Sequence, residues 1–363
     1  MSRRVLEEKS FHETICLERK RAERSRKSFL LVLLNLGQLL ADDENQNATV
    51  SKILSALATV TRETDVTGWY KNGVVLGVLF TEVPTEGRSL IAGVMISRVN
   101  GALYNNLAFE QFNQIAVSHY IFPEEWDCEV PQRPSSPTLY PDLEKRDHGS
   151  KWYLVTKRGV DVLGSACGLL ICAPLFLLIG LAIKLTSRGP VFFRQQRIGQ
   201  FGTPFVFLKF RSMYLNNNPR IHREYVEKLI SGQGQLQTDN GNGRGVYKLT
   251  QDPRVTRVGA FLRRTSLDEL PQLWNVLRGE MSLVGPRPAI PYEVEAYQTW
   301  HRRRVLEAKP GITGLWQVSG RSRLTFDDMV RLDVRYAIKR SFWLDMKILL
   351  NTPLAVLRGE GAY

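Results

Sequence analysis

Residues 263–288 of the chain read RRTSLDELPQLWNVLRGEMSLVGPRP. Two adjacent carboxylates, Asp268 and Glu269, follow a pair of arginines, and the stretch ends in a Gly-Pro-Arg-Pro turn centred on Arg287. A carboxylate can attack phosphorus, a neighbouring acid can hold Mg²⁺, and fixed guanidinium groups can grip phosphate oxygens. The combination favours phosphate chemistry.

The same two acids also have a simpler explanation as helix caps. Pro271 lacks an N–H and is best tolerated in the first turn of a helix, which makes Asp268 a candidate N-cap. Ser266 and Glu269 have the spacing of a capping box. The stretch alone leaves both explanations open, and the rest of the chain decides between them.

The charge of this 363-residue chain is divided unevenly. Residues 1–150 contain 17 Lys and Arg against 20 Asp and Glu, whereas residues 151–363 contain 32 against 16. The basic second half suits anionic lipid headgroups, nucleotide phosphates or nucleic acid. Because no helix-turn-helix, zinc-finger or RNA-recognition signature accompanies the charge, we exclude nucleic acid as the partner.

The four cysteines, Cys16, Cys128, Cys167 and Cys172, are scattered without metal-ligand spacing. We expect reduced thiols that lie in a core or in a membrane. Residues 1–28 are dense in charge, so we expect no signal peptide at the start of the chain and cytoplasmic soluble parts.

Residues 1–122 have the pattern of a small α/β accessory or regulatory domain. A charged, helical lead-in precedes a buried-strand pattern at 29–36, and residues 50–62 have helical spacing. Asn72-Gly73 joins two apolar runs, which is a strong hairpin signal. Residues 123–150, rich in Pro, Ser, Asp and Glu, are predicted to be a linker.

The order of these elements resembles a degenerate diguanylate-cyclase palm. Residues 68–73 stand where that family keeps its acidic hairpin, but the acids are missing, and Asn35 stands where a metal-binding Asp is expected. The resemblance therefore implies a palm without cyclase activity. An unrelated α/β interaction domain fits the same pattern.

Residues 159–185 are almost uncharged and long enough to cross a bilayer as one helix. Pro174 at the midpoint favours a break, and basic residues flank both ends, which draws both ends to the cytoplasmic face. We therefore predict a re-entrant, proline-broken membrane helix that enters and leaves on one side. A transmembrane helix and a buried core helix are the alternatives.

Aromatic residues alternate on both sides of a Gly-rich turn between 192 and 210, which predicts a two-stranded hairpin. From here the motifs, taken in order, make residues 151–363 resemble the bacterial sugar transferases, which are monotopic polyprenol-phosphate phosphoglycosyl transferases. The motifs are Lys157-Arg158 with Asp161, the proline-broken run, Gly189 to Phe193, Lys209 to Met213, Asp268-Glu269, Gly285 to Pro288, Lys309 to Gly314, Gln317, Gly320-Arg321 and Asp333 to Tyr336.

The resemblance implies an α-rich α+β catalytic domain at the cytoplasmic face of the bacterial inner membrane. In that family an Asp attacks the β-phosphate of a UDP-sugar, giving a covalent phosphosugar enzyme and UMP, and polyprenol (undecaprenyl) phosphate then accepts the sugar phosphate. By motif position Asp268 is the nucleophile, and Glu269 is its partner in positioning Mg²⁺. The product begins exopolysaccharide or O-antigen synthesis, and a homo-oligomer is compatible with this assignment.

Several further residues are candidates for binding the substrate. Arg263 matches a family position near the phosphates, and Arg287 is suited to gripping one phosphate, with a structural ion pair as the alternative. The turn at 310–314 and the Gly320-Arg321 pair are candidates for the uridine end. Within that set the candidates are Gly311, Thr313 and Arg321. The other candidates are Pro286, Pro288, Lys209 and Arg211, with a solvated strand face as the alternative for Lys209 and Arg211.

Three other segments carry predictions of their own. Residues 216–247, rich in Asn, Gln and Gly, are predicted to be a structureless surface loop, with a lid as the alternative. Residues 300–304 and 341–350 mix bulky apolar and basic side chains, as interfacial helices do, although core packing explains the second equally well. The main alternative of another class is a membrane-anchored nucleotide-binding or scaffolding protein without catalysis.

Overall fold

The computed structural model describes residues 5–25, 27–41, 45–84, 87–124, 137–142, 151–215, 220–231, 237–238, 245–246, 254–320 and 324–357. The chain divides into two compact units, Met1–Glu125 with Ser136–Gly149 and Trp126–Ser135 with Ser150–Tyr363. The fold is mixed α/β and mostly helical.

An antiparallel four-stranded sheet of order β2-β3-β1-β4 forms the centre of the N-terminal unit. In chain order its elements are α1 (Glu8–Ser25), β1 (Ser28–Asn35), α2 (Gly37–Ala41), α3 (Gln46–Val60), β2 (Val66–Lys71), β3 (Val75–Val83), α4 (Arg88–Asn106), α5 (Phe109–Asn113) and β4 (Ala116–Phe122). The predicted strand at 29–36, the helix at 50–62 and the hairpin at Asn72-Gly73 are confirmed.

Both faces of this sheet are covered. β1 is buried at all but its last position, and its alternate residues Leu30, Val32 and Leu34 pack with α3 and α4. On the other face the ring of Phe11 from α1 lies over Gly68 and Gly77, where a Cβ atom would collide with it. These glycines are therefore required by the close approach of α1.

Residues 137–142, which belong to the predicted linker, pack on the N-terminal unit. Leu139 and Tyr140 are buried, and Arg19 from α1 bonds the Leu139 carbonyl and pairs with Asp142 at 2.9 Å. Most of the predicted linker lies outside the described residues.

The C-terminal unit contains one very long helix, several short helices and small sheets. Its elements are α6 (Lys151–Thr186), β5 (Phe192–Ile198), β6 (Pro204–Phe210), α7 (Arg220–Ile230), β7 (Gln237–Thr238), β8 (Gly245–Val246), α8 (Arg257–Arg264), α9 (Gln272–Arg278), β9 (Ser282–Val284), α10 (Pro291–Glu295), α11 (Arg303–Leu306), β10 (Gly311–Thr313), α12 (Leu315–Ser319), α13 (Phe326–Lys339) and α14 (Phe342–Leu357). β5 and β6 form the predicted antiparallel hairpin, and β9 pairs with β10 in parallel.

Helix α6 is long and apolar enough to cross a membrane by length and composition. It has 36 residues and continues as one helix through Pro174, so the predicted interruption of the helix is not confirmed. Much of its surface is exposed and apolar, including Leu170, Ile171 and Leu177. Two glycines lie on the side of α6 that packs on the rest of the C-terminal unit. A Cβ atom on Gly164 would press on Leu283, and one on Gly168 would press on Leu273.

Two predictions about the C-terminal unit are wrong. Helix α7 replaces the predicted structureless loop at residues 220–230, and its apolar side buries Val226 and Ile230 in a core cluster. Most of the rest of 216–247 lies outside the described residues. Residues 300–304 form a short turn and helix start in which His301 and Arg304 are buried, so they belong to the core and not to an interfacial helix. By contrast, Trp343 and Leu350 on α14 are 79% exposed.

Candidate active site

Asp268 and Glu269 lie on a 3-10 turn, Leu267–Glu269, between α8 and α9. Leu267 and Leu270 on either side of the acids pack into an apolar cluster with Ile179 and Ile183 of α6. The apolar residues thus anchor the turn on the long helix, while Asp268 is 6% exposed.

The capping explanation for these acids is wrong. Helix α9 begins at Gln272 with Pro271 in the capping position, so Asp268 does not cap it. Ser266 precedes the 3-10 turn, and its side chain makes no capping hydrogen bond. Ser266 instead has φ of 56°, a left-handed conformation that costs free energy in a residue other than glycine.

Lys209 on β6 brings a cation to both acids. Its Nζ lies 2.8 Å from Oε1 of Glu269 and 3.8 Å from Oδ2 of Asp268, and it lies 5.4 Å from the centre of the Phe207 ring. Phe207 and Lys209 are two apart on a strand, so they share the face that packs on α9. The strand pattern thus directs the lysine into the site.

The environment drives the two acids apart in pKa. Burial raises the pKa of Asp268, with Lys209 and the two arginines Arg263 and Arg287 opposing and Glu269 adding to the rise. Burial would also raise the pKa of Glu269, but Lys209 and Arg287 outweigh it and lower the pKa to about 2. Glu269 is therefore a fixed anion, and Asp268 is the acid whose charge the surroundings can tune.

The Gly-Pro-Arg-Pro turn after β9 is held by its own carbonyl groups. Lys157 Nζ bonds the Val284 carbonyl at 2.9 Å, the Gly311 N–H bonds the Pro286 carbonyl at 2.8 Å, and Arg197 bonds the Pro288 carbonyl at 2.9 Å. Pro286 and Pro288 are buried.

The Arg287 side chain makes none of these bonds to the carbonyl groups. It is exposed between the two buried prolines, and it lowers the pKa of both acids across the site. A guanidinium held on a fixed turn beside an anionic pocket is well placed to bind phosphate oxygens. Arg197 and Arg304, which support the turn, were missed by the sequence analysis, because their partner carbonyls lie 91 and 17 residues away.

Gly285 and Gly311 allow β9 and β10 to approach closely. A Cβ atom on Gly285 would collide with the Lys309 carbonyl, and one on Gly311 would collide with the Gly285 N–H. Thr313, also on β10, is buried with its Oγ1 2.8 Å from that of Thr352. Gly311 and Thr313 thus lie beneath the Arg287 turn, and this geometry does not favour direct contact with uridine.

The remaining predicted substrate ligands, Arg263, Arg211 and Arg321, differ in their surroundings. Arg263 is half-buried, influences the charge on Asp268 and donates from Nε to Ser212 Oγ at 2.9 Å. Arg211 is buried, and its two terminal nitrogens bond the Ser187 and Arg188 carbonyls at 2.8 Å just beyond the end of α6. That geometry gives Arg211 a structural role. Arg321 lies outside the described residues.

Asp161 has a structural role that does not involve Arg158, its neighbour in the motif. Its Oδ1 accepts from the Leu283 N–H at 2.8 Å and from Ser282 Oγ at 3.0 Å. Arg158 instead bonds the Val276 and Leu277 carbonyls at the end of α9. Two charged side chains of α6 thus fix the two elements that follow the acids.

The acids fit a magnesium ion of the type that is shared with substrate. Among the described residues, no group of three or more His, Cys, Asp or Glu side chains could hold a metal. Mg²⁺ is usually bound by one or two carboxylates together with water and substrate phosphates, which is what Asp268 and Glu269 can offer.

Diguanylate cyclases are among the solved structures to which the chain is similar. A DGC protein from Thermotoga maritima has a TM-score of 0.28 and 18% identity, covering 39% of this chain and 95% of that one. SiaD from Pseudomonas aeruginosa has a TM-score of 0.25 and 18% identity, covering 32% and 45%. At such TM-scores the cyclase-like character of the N-terminal unit stays a prediction.

Relatives of known name match more than half of the chain. The galactosyl transferase CpsE of Streptococcus agalactiae serotype III is 45% identical over 211 residues, 58% of this chain and 44% of that protein. The undecaprenyl-phosphate galactose phosphotransferase of Salmonella typhimurium is 43% identical over 208 residues, 57% and 41%. The chain thus spans about two fifths of the length of these two relatives.

A shorter relative is covered almost whole. The exopolysaccharide production protein ExoY of Rhizobium meliloti is 41% identical over 209 residues, 58% of this chain and 88% of that protein. A family model described as bacterial sugar transferase matches residues 152–359, more than half of the chain. The chain belongs to the bacterial sugar transferase family.

Proposed function

We propose that the protein transfers a sugar 1-phosphate from a UDP-sugar to polyprenol (undecaprenyl) phosphate at the cytoplasmic face of the bacterial inner membrane, in the initiation of exopolysaccharide or O-antigen synthesis. The observation that carries the proposal is a buried carboxylate, Asp268, which adjoins a fixed anion, Glu269, and lies 3.8 Å from Nζ of Lys209. Lys209, Arg263 and Arg287 all act electrostatically on Asp268. Cations placed in this way can stabilise the negative charge that develops on phosphate oxygens in a transition state.

In the first half-reaction an Asp268 carboxylate oxygen attacks the β-phosphorus of the UDP-sugar. The bond from this phosphorus to the bridging oxygen breaks, and UMP leaves with that oxygen and its electron pair. In the second, a phosphate oxygen of the polyprenol phosphate attacks the same phosphorus, and the Asp268 carboxylate is released. Splitting the transfer in this way replaces one difficult displacement by two easier ones.

The other residues hold the phosphates and their charge. Arg287 and Arg263 bind phosphate oxygens, while Lys209 keeps Asp268 available as the anion that attacks. Mg²⁺, held by Asp268 and Glu269, would neutralise phosphate oxygens when bound. Names of relatives direct the choice of donor, since they include galactose and glucose phosphotransferases. UDP-galactose and UDP-glucose are the donors to test first.

The membrane arrangement that we propose is re-entrant: α6 stays helical on both sides of Pro174 but bends at this proline, so that both of its ends lie on the cytoplasmic side. Near one end Lys157 pairs with Asp345 at 2.9 Å, and near the other Ile183 packs with Phe210 and Leu262. These points are about 39 Å apart along a helix axis, and one compact unit holds both of them. A helix that crossed the ~30 Å hydrocarbon layer would deliver its ends to opposite sides.

Both proposals have direct tests. Purified protein in nanodiscs, given Mg²⁺, undecaprenyl phosphate and UDP-galactose or UDP-glucose, is expected to release UMP and form a sugar diphospholipid, and Asp268→Asn is expected to do neither. Equal UMP release by the variant would refute the role of Asp268.

The membrane arrangement can be tested by cysteine labelling. Single cysteines at Trp152 and Thr186 in a cysteine-free background should both be protected from impermeant reagents in spheroplasts. Labelling of only one would contradict the re-entrant arrangement.

A further inference from the structure

Asn275 lies on α9, one turn after the 3-10 turn that carries the acids, and it is 1% exposed. Its side-chain amide bonds the open edge of β6 at two points. The Nδ2 group donates to the Val206 carbonyl at 2.7 Å, and Oδ1 accepts from the Leu208 N–H at 3.2 Å. β5 occupies the other edge of β6, so this single amide takes the place of a third strand.

Glu280 fixes the orientation of this amide. The second Nδ2 proton is donated to Glu280 Oε2 at 2.6 Å. A flipped amide would oppose two donors at Leu208 and turn its oxygen toward a carbonyl and a carboxylate. All three contacts therefore select one orientation, and with it one position of β6 along α9.

Apolar packing does not set that position to the same accuracy. Phe205 and Phe207 on β6 pack against Val276 and Met281, but such contacts are non-directional and tolerate small slides. The Lys209 contacts to the acids, at 2.8 and 3.8 Å, are sensitive to shifts of this size. A displacement of about 1 Å far from the chemistry can lower a rate by about 10²-fold.

We infer that Asn275 is a positioning residue for Lys209, which holds the residue beside Leu208 at the right distance from Asp268 and Glu269. Asn275 has no contact with substrate in this account, and it acts through the backbone of β6. The inference rests on the proposed function, because it assigns Asn275 to that reaction. It also explains why a buried polar side chain lies within an otherwise apolar contact between helix and strand.

The test compares Asn275→Ala with Val276→Ala, the adjacent buried residue that packs on the same strand without bonding it. The readouts are the thermal midpoint and the single-turnover rate of UMP release at saturating UDP-sugar, together with the donor concentration for half-maximal rate. We expect both variants to be less stable. Asn275→Ala should lose about 10- to 100-fold in rate with little change in half-saturation, whereas Val276→Ala should keep its rate.

A double variant tests whether Asn275 acts through Lys209. In a Lys209→Met background, Asn275→Ala should cost less than about threefold, because there is no amine left to position. A full, additive loss there, or equal rate losses in Asn275→Ala and Val276→Ala, would overturn the inference while leaving the proposed function intact. A parent protein that released no UMP from any donor in a panel of UDP-sugars would instead overturn the proposed function, and with it the reaction that Asn275 serves.

Discussion

The two units of this protein bury charge in very different amounts. In the described part of the N-terminal unit, the buried charged groups are few, and Arg19 and Asp65 bond nearby backbone. The C-terminal unit buries many more, among them Asp161, Arg197, Arg304, Asp333 and Asp345. Removing an ion from water costs several kcal/mol unless partners repay it.

In the C-terminal unit these buried charges hold backbone groups near the candidate site in fixed positions. Asp161 bonds the Leu283 N–H, and Arg197 and Arg304 bond the Pro288 and Arg287 carbonyls. Asp333 and Asp345 pair with Arg304 and Lys157, so that β9 and the Arg287 turn are fixed in place. The first unit has an ordinary apolar core and its glycines serve packing. If this contrast is correct, substitutions in the two units will separate activity from stability.

The largest expected effect is from Asp268→Asn. The amide oxygen is a far weaker nucleophile than a carboxylate, so UMP release should fall by about 10³-fold or more with the fold retained. Asp328→Asn, a partly exposed acid on α13, is the matched control and should keep its rate. If Asp268→Asn released UMP as fast as the parent, Asp268 would not be the reactive group that the buried charges of the C-terminal unit position.

Lys209→Met should have the next largest effect. The change keeps much of the side-chain volume but removes the ammonium group that lies 2.8 Å from Glu269 and 3.8 Å from Asp268. We expect kcat/KM for UMP release to fall by about 10²- to 10³-fold, as for loss of one charged group that stabilises a transition state. A fall of less than threefold would show that the lysine serves packing only.

The two arginines Arg287 and Arg211 offer a sharper comparison within one unit. Arg287→Ala removes an exposed guanidinium, so kcat/KM for the UDP-sugar should fall by about 10- to 100-fold while the thermal midpoint stays unchanged. Arg211→Ala leaves the Ser187 and Arg188 carbonyls without their donor, so it should lower the midpoint by several degrees. The reverse pattern would mean that Arg211 is the phosphate ligand.

The pH dependence tests the tuning of Asp268. Burial raises its pKa, so the attacking carboxylate should be lost as pH falls through a value above the ordinary Asp range of about 4. Lys209 lowers that pKa, and Lys209→Met should therefore move the acid limb of the kcat/KM profile to higher pH. A limb that stayed in place or moved to lower pH would contradict the assignment.

The smallest effect on activity is expected from the N-terminal unit. In Gly77→Ala the added Cβ atom collides with the Phe11 ring, which should destabilise this unit by about 1–3 kcal/mol. At a temperature where both units are folded, UMP release should be unchanged within twofold. A loss of more than tenfold would show that the N-terminal unit takes part in the reaction.

Local patterns in the sequence predicted the elements but not their pairing. Strand alternation and Asn72-Gly73 were sufficient for both hairpins, and the length of the apolar run was sufficient for α6. The contact of Lys209 with Glu269 joins residues 60 apart, and no local signal marks it. Composition was misleading at 220–230, where an amphipathic helix lies among polar residues.

The arginines show the same limit. Arg211 and Arg287 were both candidates for phosphate binding, because residue type and motif position do not say which way a side chain points. The structure separates them through burial, since one bonds the carbonyls that follow α6 and the other is exposed beside the acids. Tertiary packing, and not the motif, decides which guanidinium is available.

The covalent intermediate is the most direct test of the central claim. Protein in nanodiscs is incubated with Mg²⁺ and UDP-galactose or UDP-glucose without lipid acceptor, beside Asp268→Asn, and intact mass is measured. We expect the parent to gain the mass of one sugar phosphate, to lose it on addition of undecaprenyl phosphate, and the variant to gain nothing. Sugar-lipid formation by a parent that never carries the adduct, or an adduct on the variant, would contradict Asp268 as the nucleophile.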